Sequence, residues 1–317
     1  MRIIVTGSNG FIGWHTCTQL VEQGIEVIGV DDLSEGTPDN AVDGVRYRTL
    51  SVADAGGMVR LMREAQPEAV IHLAARPRVR FTVEQPLQSS TANLLGTIAV
   101  LDSLLRAELI GKTRLVFASS SAVYGATQVL PTPETHPFDP QSPYALQKCQ
   151  GEQWCRMFHR LYGLDVVSLR YFNPFGPGAA FGGAYSLVLS AWLYHLYVDP
   201  SYRPYLEGDG TQTRDFCSVE DVAWANVRAA TRADGFSGQA LNIAQGRAYS
   251  LLDVKSELEE VCSRQLVLDQ RPPRTGDVAH TLADIARAKR ELGYRPSTDF
   301  RGQLERMASW FRDSHPR

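Results

Sequence analysis

The chain predicts an α/β protein: a Rossmann-type doubly wound parallel sheet with a smaller, discontinuous C-terminal substrate domain. Three observations predict it. β-branched runs of strand length alternate with stretches of helical length through the first half of the chain. A glycine-rich turn, Gly7-Ser8-Asn9-Gly10-Phe11-Ile12-Gly13, joins the first run to the first helical stretch. The residues richest in chemistry follow strand runs directly, at the carboxyl edge where such sheets take ligands. On this reading residues 1–173 with about 216–246 form a dinucleotide-binding domain, and about 174–215 with 247–317 form the substrate domain.

Arg2 to Thr6 is a β-branched run and reads as a buried strand. The turn that follows spaces its glycines G-x-x-G-x-x-G and leads into a helix over Trp14–Gln23. Glycines there let the backbone approach a pyrophosphate, and the helix N-terminus offers amide donors and a favourable dipole. Glu26 to Asp31 is the second strand, ending in Asp31-Asp32. An acid about 20 residues past the glycines accepts from both ribose hydroxyls of an adenosine and repels a 2′-phosphate, which favours NAD over NADP. Val45–Leu50 reads as a strand, Gly56–Ala65 as a helix and Ala69–Leu73 as a strand. Ala74 and Ala75 then keep the backbone open to a cofactor, and His72 reads as a packed strand-end residue. Asn93 to Leu109 has helical periodicity, and the strand Arg114–Ala118 delivers Ser119, Ser120 and Ser121. The strand Val166–Tyr171 leads to Asn173, after which a Gly- and Pro-rich loop precedes an aromatic helix, Tyr185–Tyr197. A helix over Val219–Thr231 and a strand over Ala240–Ala244 return to the first domain, and two helices close the tail, near Ala283–Leu292 and Phe300–Asp313.

The bulk properties exclude several classes. At 317 residues, 44% apolar and 21% charged, the chain suits a large domain with a smaller partner rather than disorder. A net charge of −3 gives no reason to expect nucleic acid or an anionic membrane as partner. No apolar run approaches the ~20 residues of a membrane span, and no secretory signal is visible. Five scattered cysteines without C-x-x-C spacing read as free thiols in a reducing cytoplasm, with no metal site expected.

Tyr144 and Lys148 stand four apart, on one face of a helix over Tyr144–Tyr162. An ammonium beside a phenol favours phenolate, so the tyrosine is expected to act as a base below its usual pKa of about 10. Such a pair is common on helices. It gains meaning from the glycine turn, Asp31, Ala74, the serines and Asn173, all read to the same sheet edge. Arg214 and Arg274 are guanidinium candidates for a diphosphate.

These residues resemble the extended short-chain dehydrogenase/reductase family, and within it the nucleotide-sugar 4-epimerases of the UDP-glucose 4-epimerase type. The resemblance runs the whole chain. It is carried by Gly7-x-x-Gly10-x-x-Gly13, Asp31-Asp32-Leu33, His72-Leu73-Ala74-Ala75, Ser119-Ser120-Ser121, Ser142-Pro143-Tyr144-x-x-x-Lys148, Leu169-Arg170-Tyr171-Phe172-Asn173-Pro174, Arg214-Asp215-Phe216 and Arg274-x-Gly276-Asp277. It implies Ser120 as the catalytic hydroxyl, Tyr144 as the base and Lys148 as the residue that holds the nicotinamide ribose. It implies NAD contacts from Gly7, Asn9, Gly10, Phe11, Ile12, Gly13, Asp31, Asp32, Ser51, Val52, Leu73, Ala74, Ala75, Asn93, Ser119 and Tyr171 as well. It also implies UDP-sugar contacts from Arg80, Ser120, Ser121, Tyr144, Asn173, Tyr185, Ser186, Leu187, Arg214, Arg274 and Thr281. The activity implied is 4-epimerisation through a transient 4-keto sugar.

Several features narrow the branch. Ser121-Ala122 stand where dehydratases and decarboxylases of the family carry an acid. Thr281 replaces a bulky tyrosine of some epimerases, which leaves room for an N-acetyl group, and the 184–188 segment looks like the N-acetylhexosamine epimerases. Val79-Arg80 and Thr281 look like UDP-glucuronate 4-epimerases, although 177–180 lacks that branch's arginine and only Arg76, Arg78 and Arg80 stand elsewhere to pair a carboxylate. Ser51 sits at an adenine-binding aspartate position, so that contact is weakened or moved to Asp54. A net 4-ketosugar oxidoreductase and a non-catalytic dinucleotide sensor are the other readings. A homodimer is expected, with the Asn93–Leu109 and Tyr144–Tyr162 helices facing a partner's copies.

Overall fold

The structure is a computed structural model that describes residues 1–179, 181–182, 188–272 and 278–314. Among these residues one parallel sheet is built from seven strands: β1 (Arg2–Thr6), β2 (Glu26–Asp31), β3 (Val45–Thr49), β4 (Ala69–His72), β5 (Arg114–Ser120), β6 (Val166–Tyr171) and β7 (Ser237–Ile243). Their order is β7-β6-β5-β4-β1-β2-β3. The order reverses beside β1, between the outward runs to β3 and to β7. That reversal opens the crevice in which doubly wound sheets take ligands.

Alternate residues of each strand face opposite sides of the sheet. Ile3 and Val5 of β1 pack one way, against Cys17 and Leu20 of α1 (Phe11–Glu22) and, beside them, Val222 and Ala225 of α8 (Val219–Thr231). Ile4 packs the other way, in one core with Met58 and Met62 of α2 (Ala55–Ala65), Val100 and Leu104 of α5 (Gly96–Arg106) and Phe158 of α6 (Pro143–Tyr162). Both faces are thus covered, as a parallel sheet of apolar strands requires.

The chain leaves the sheet after Asn173 and builds a separate core. Trp192 of α7 (Val188–Tyr197), Val254 and Leu258 of α9 (Leu251–Cys262) and Met307 and Phe311 of α11 (Phe300–Ser314) pack there. Between these excursions α8 and β7 rejoin the sheet, and α10 (Ala286–Leu292) packs on its α8 face. Some elements differ from expectation. The helix expected over Asn93–Leu109 begins as one π-helical turn, Thr91–Leu95, before α5. The basic run after Ala75 enters two short helices, α3 (Val79–Glu84) and α4 (Pro86–Ser90). The unforeseen α9 starts at a capping box of Ser250 and Asp253, a signal present in the sequence.

Candidate active site

At the carboxyl end of β1, Gly7 adopts φ 71°, and a Cβ there would meet the Ala74 amide nitrogen at 2.7 Å. A Cβ at Gly13 would meet the Gly7 carbonyl oxygen at 2.0 Å. Both glycines are therefore required by close backbone approach. The turn brings the N-terminus of α1 under a cavity of about 370 Å³ at the sheet edge. Asp31, at the end of β2, fixes this turn: its carboxylate accepts from the Asn9 amide at 3.0 Å and the Leu33 amide at 2.8 Å. Burial raises the Asp31 carboxyl, opposed by those two amides. Burial pushes Asp32 the same way, but the Ser34 and Ser51 hydroxyls and the charge of Arg76 bring it below the usual range.

The turn residues Gly7, Asn9, Gly10, Phe11, Ile12 and Gly13 line the cavity, with Asp31, Asp32, Ser51 and Val52 on one side. Leu73, Ala74, Ala75, Ser119, Ser120, Tyr144, Lys148 and Tyr171 complete it. An extended dinucleotide fits this set: amides of a helix N-terminus for phosphates, an acid for a ribose, small residues along the floor. Asn93 stands apart. It is 2% exposed and holds the backbone of Arg76, accepting from its N–H at 2.6 Å and donating to its C=O at 3.1 Å. Asp54 caps α2 through the Gly57 amide at 2.9 Å and does not line the cavity, whereas Ser51 does.

Helix α6 starts where Ser142 accepts from the Ala145 amide and Pro143 occupies the first turn. Tyr144 and Lys148 then project into the cavity one turn apart. The Lys148 ammonium donates to the Ala118 carbonyl at 2.7 Å and sits 5.8 Å from the centre of the Tyr144 ring. Burial lowers Lys148 to about 8. It also pushes the Tyr144 phenol up to about 12, against a hydrogen bond from Ser120 that favours phenolate. Lys148 was expected to favour phenolate at Tyr144; here desolvation of the phenol is the larger influence, and the ammonium gives one of its hydrogens to the Ala118 carbonyl.

Asn173 takes φ 34° at the end of β6, a left-handed position that asparagine tolerates. Its amide donates to the Asp215 carbonyl at 3.0 Å and to the Thr281 hydroxyl at 3.4 Å. Asn173 and Thr281, remote in sequence, are therefore neighbours. Asp215 lies beneath them, its carboxylate accepting from the amides of Gln245, Gly246 and Ala283. Arg214 donates to the carbonyls of Thr213 and Ala279. Further out, Gln212, Arg271, Ala279 and His280 line a second cavity of about 670 Å³. Ser121 is half-buried and opens a short 3-10 turn capped by the Ser120 hydroxyl. Arg80 is 89% exposed and pairs with Glu84 across one turn of α3, away from the cavity wall. Tyr185, Ser186, Leu187 and Arg274 lie outside the described residues.

Other residues of the site escaped the sequence. Glu152, one turn beyond Lys148, accepts from the Ser119 hydroxyl at 2.6 Å and from Arg170 at 2.8 and 2.7 Å. The helical spacing Tyr144, Lys148, Glu152 was the available signal. Ala118 contributes only a carbonyl, and Glu35, which lines the cavity, comes from the loop after β2, so no pattern marked either. All five cysteines are buried and unpaired, and among the described residues no three metal-binding side chains gather.

Known proteins resemble this chain over its whole length. A UDP-glucose 4-epimerase of Mycolicibacterium smegmatis is 32% identical, with 99% of each chain covered. The crystal structure of a Thermotoga maritima UDP-glucose 4-epimerase with UDP-glucose superposes with a TM-score of 0.92 at 32% identity, covering 99% of each chain. A UDP-N-acetylglucosamine 4-epimerase of Methanobrevibacter ruminantium, in complex with UDP-N-acetylmuramic acid, gives 0.90 at 30%, covering 99% of this chain and 98% of that one. The model of the NAD dependent epimerase/dehydratase family matches residues 3–244, so the chain belongs to that family.

Proposed function

We propose that the protein is an NAD-dependent UDP-hexose 4-epimerase, acting on UDP-N-acetylglucosamine and UDP-N-acetylgalactosamine, on UDP-glucose and UDP-galactose, or on both pairs. The observation that carries this reading is Ser120, Tyr144 and Lys148 together in the lining of the cavity that the glycine turn, Asp31 and Ala74 also line. Bound there, NAD would serve first as acceptor and then as donor of the sugar C4 hydride, and its positive charge would favour phenolate at Tyr144. The Tyr144 phenolate takes the proton of the C4 hydroxyl, and the Ser120 hydroxyl donates to that oxygen as it becomes a carbonyl. Lys148, anchored on Ala118, orients the nicotinamide ribose. The 4-keto sugar turns over, and Tyr144 returns the proton to the same oxygen.

Ser121 and Ala122 carry no acid for elimination or decarboxylation. The small Thr281 beside Asn173 supports room for an N-acetyl group, and Arg80, paired with Glu84, gives no support to a uronate. The nucleotide half would extend past Asn173 and Thr281 toward the second cavity at His280 and Arg271. The reading includes a homodimer. Leu146, Trp154, Met157 and Leu161 form an exposed stripe on α6, and Leu87 and Leu95 are exposed on the neighbouring α4 and π turn. Five buried, unpaired cysteines suit a cytoplasmic setting, and among the described residues no helix is long and apolar enough to cross a membrane.

The test is a panel of UDP-sugars incubated with purified protein without added NAD, with products read by NMR. Interconversion at C4 is expected, reduced at least about a hundredfold by Tyr144→Phe, as loss of a general base implies. If no UDP-sugar pair interconverts, the reading fails.

A further inference from the structure

The basic run Arg76-Pro77-Arg78-Val79-Arg80 divides in the fold. Arg80 faces solvent with Glu84. Arg76 and Arg78 reach back over the cavity to Glu35. The Arg76 guanidinium lies 2.6 Å from the Glu35 carboxylate, with the two side chains only 18% and 19% exposed. It also donates to the Ser34 carbonyl at 3.2 Å. Arg78 sits 3.8 Å from the other Glu35 oxygen and donates to the Gly182 carbonyl at 2.7 Å.

The sheet order gives this pair its meaning. Glu35 follows β2 and Arg76 follows β4, and those strands flank β1 on either side. The glycine turn of β1 lies between them. A link between the two outer loops therefore passes across the cradle of the dinucleotide, and Ser34, Glu35, Arg76 and Pro77 all line its cavity. One side of the link is held firmly. Asn93 grips the N–H and C=O of Arg76, Asn93 is itself bonded to Gln147 at 2.6 Å, and the Phe81 ring lies 5.5 Å from the guanidinium. The other side, Glu35, sits in the loop that follows β2.

We propose that the Glu35–Arg76 ion pair is a clasp closed across the bound dinucleotide, which must open before the cofactor leaves, and that Arg78 ties this clasp through Gly182 to the substrate side of the molecule. The proposal rests on the reading of this cavity as the NAD site. A reaction without net redox change gains from slow cofactor release, because the same cofactor molecule serves cycle after cycle. The clasp supplies that retention without adding a contact to the reacting ring.

The test measures dissociation of NAD from the loaded protein, mixed rapidly with excess fluorescent etheno-NAD. Glu35→Gln and Arg76→Gln should each speed release by about tenfold, the worth of one charge-assisted, half-buried pair. Added salt should speed release from the native protein more than from either variant. The reversed pair, Glu35→Arg with Arg76→Glu, should restore slow release. If Arg76→Gln alone speeds release and the reversed pair is worse still, Arg76 is a direct phosphate ligand and the clasp is overturned. It is equally overturned if the native protein holds NAD and both single variants release it at the native rate. A native protein that takes up neither NAD nor etheno-NAD overturns the reading of the cavity as well.

Discussion

His72 shows how a residue of catalytic type becomes structural. It is 1% exposed, with Nδ1 at 2.7 Å from the Thr6 hydroxyl and Nε2 at 3.1 Å from the Thr97 hydroxyl. Thr97 spends its own proton on the Asn93 carbonyl, so Nε2 of His72 carries the hydrogen and Nδ1 accepts from Thr6. Burial, with Lys148 nearby, lowers the imidazole to about 3. The unfolded chain then binds more protons between about pH 3 and 6.5, so this histidine withdraws stability as pH falls through 6.5. Lowering the pH from 6.5 to 4.5 should cost the native protein about 2–3 kcal/mol more than His72→Gln, measured by urea unfolding. Parallel losses in the two proteins would refute the assignment. Tyr144 is the converse case. Its identity was readable from its spacing to Lys148, but its environment was not, because burial depends on how strands and loops close around the phenol.

At the scale of elements, α6 joins the reacting groups to the sheet. Tyr144 and Lys148 line the cavity, while Glu152 on the same helix reaches under β5 and β6 to Ser119 and Arg170. Arg170 continues to the Tyr124 hydroxyl at 2.8 Å, and Tyr124 to Asn242 of β7 at 2.6 Å. Glu152 and Arg170 are 0% and 1% exposed, so neither charge has water to fall back on. Glu152→Gln should therefore destabilise the fold by about 3–5 kcal/mol, the cost of leaving a buried guanidinium unpaired. The double variant with Arg170→Met should recover part of that loss. Chemical denaturation of the single and double variants checks both outcomes, and additive losses would contradict a shared pair. The glycine turn and α1 were legible because strand, turn and helix are contiguous. Asn93 was expected, from the resemblance, as an NAD contact; its bonds to Arg76 and Gln147 were not legible, since those partners come from other elements.

At the scale of the molecule, α4 and α6 pack side by side and leave apolar side chains facing outward, with Leu87 81% and Leu161 64% exposed. A second copy presenting the same two helices would cover them in a two-fold arrangement. Met157→Glu with Leu161→Glu should shift the protein from dimer to monomer in sedimentation experiments. A native protein that sediments as a monomer would rule the interface out.

The sequence by itself determined the parallel sheet, its cofactor edge and the Ser120, Tyr144 and Lys148 group, because these depend on local periodicity and on turns of contiguous residues. The tertiary structure decided which carboxylate each arginine of the run after Ala75 pairs with. Arg76, Arg78 and Arg80 share one charge and lie within five residues, yet Arg76 and Arg78 close on Glu35 while Arg80 pairs with Glu84 in solvent. Sequence spacing cannot separate them, because the choice depends on the short helix that starts at Val79 and on a carboxylate carried by a different loop.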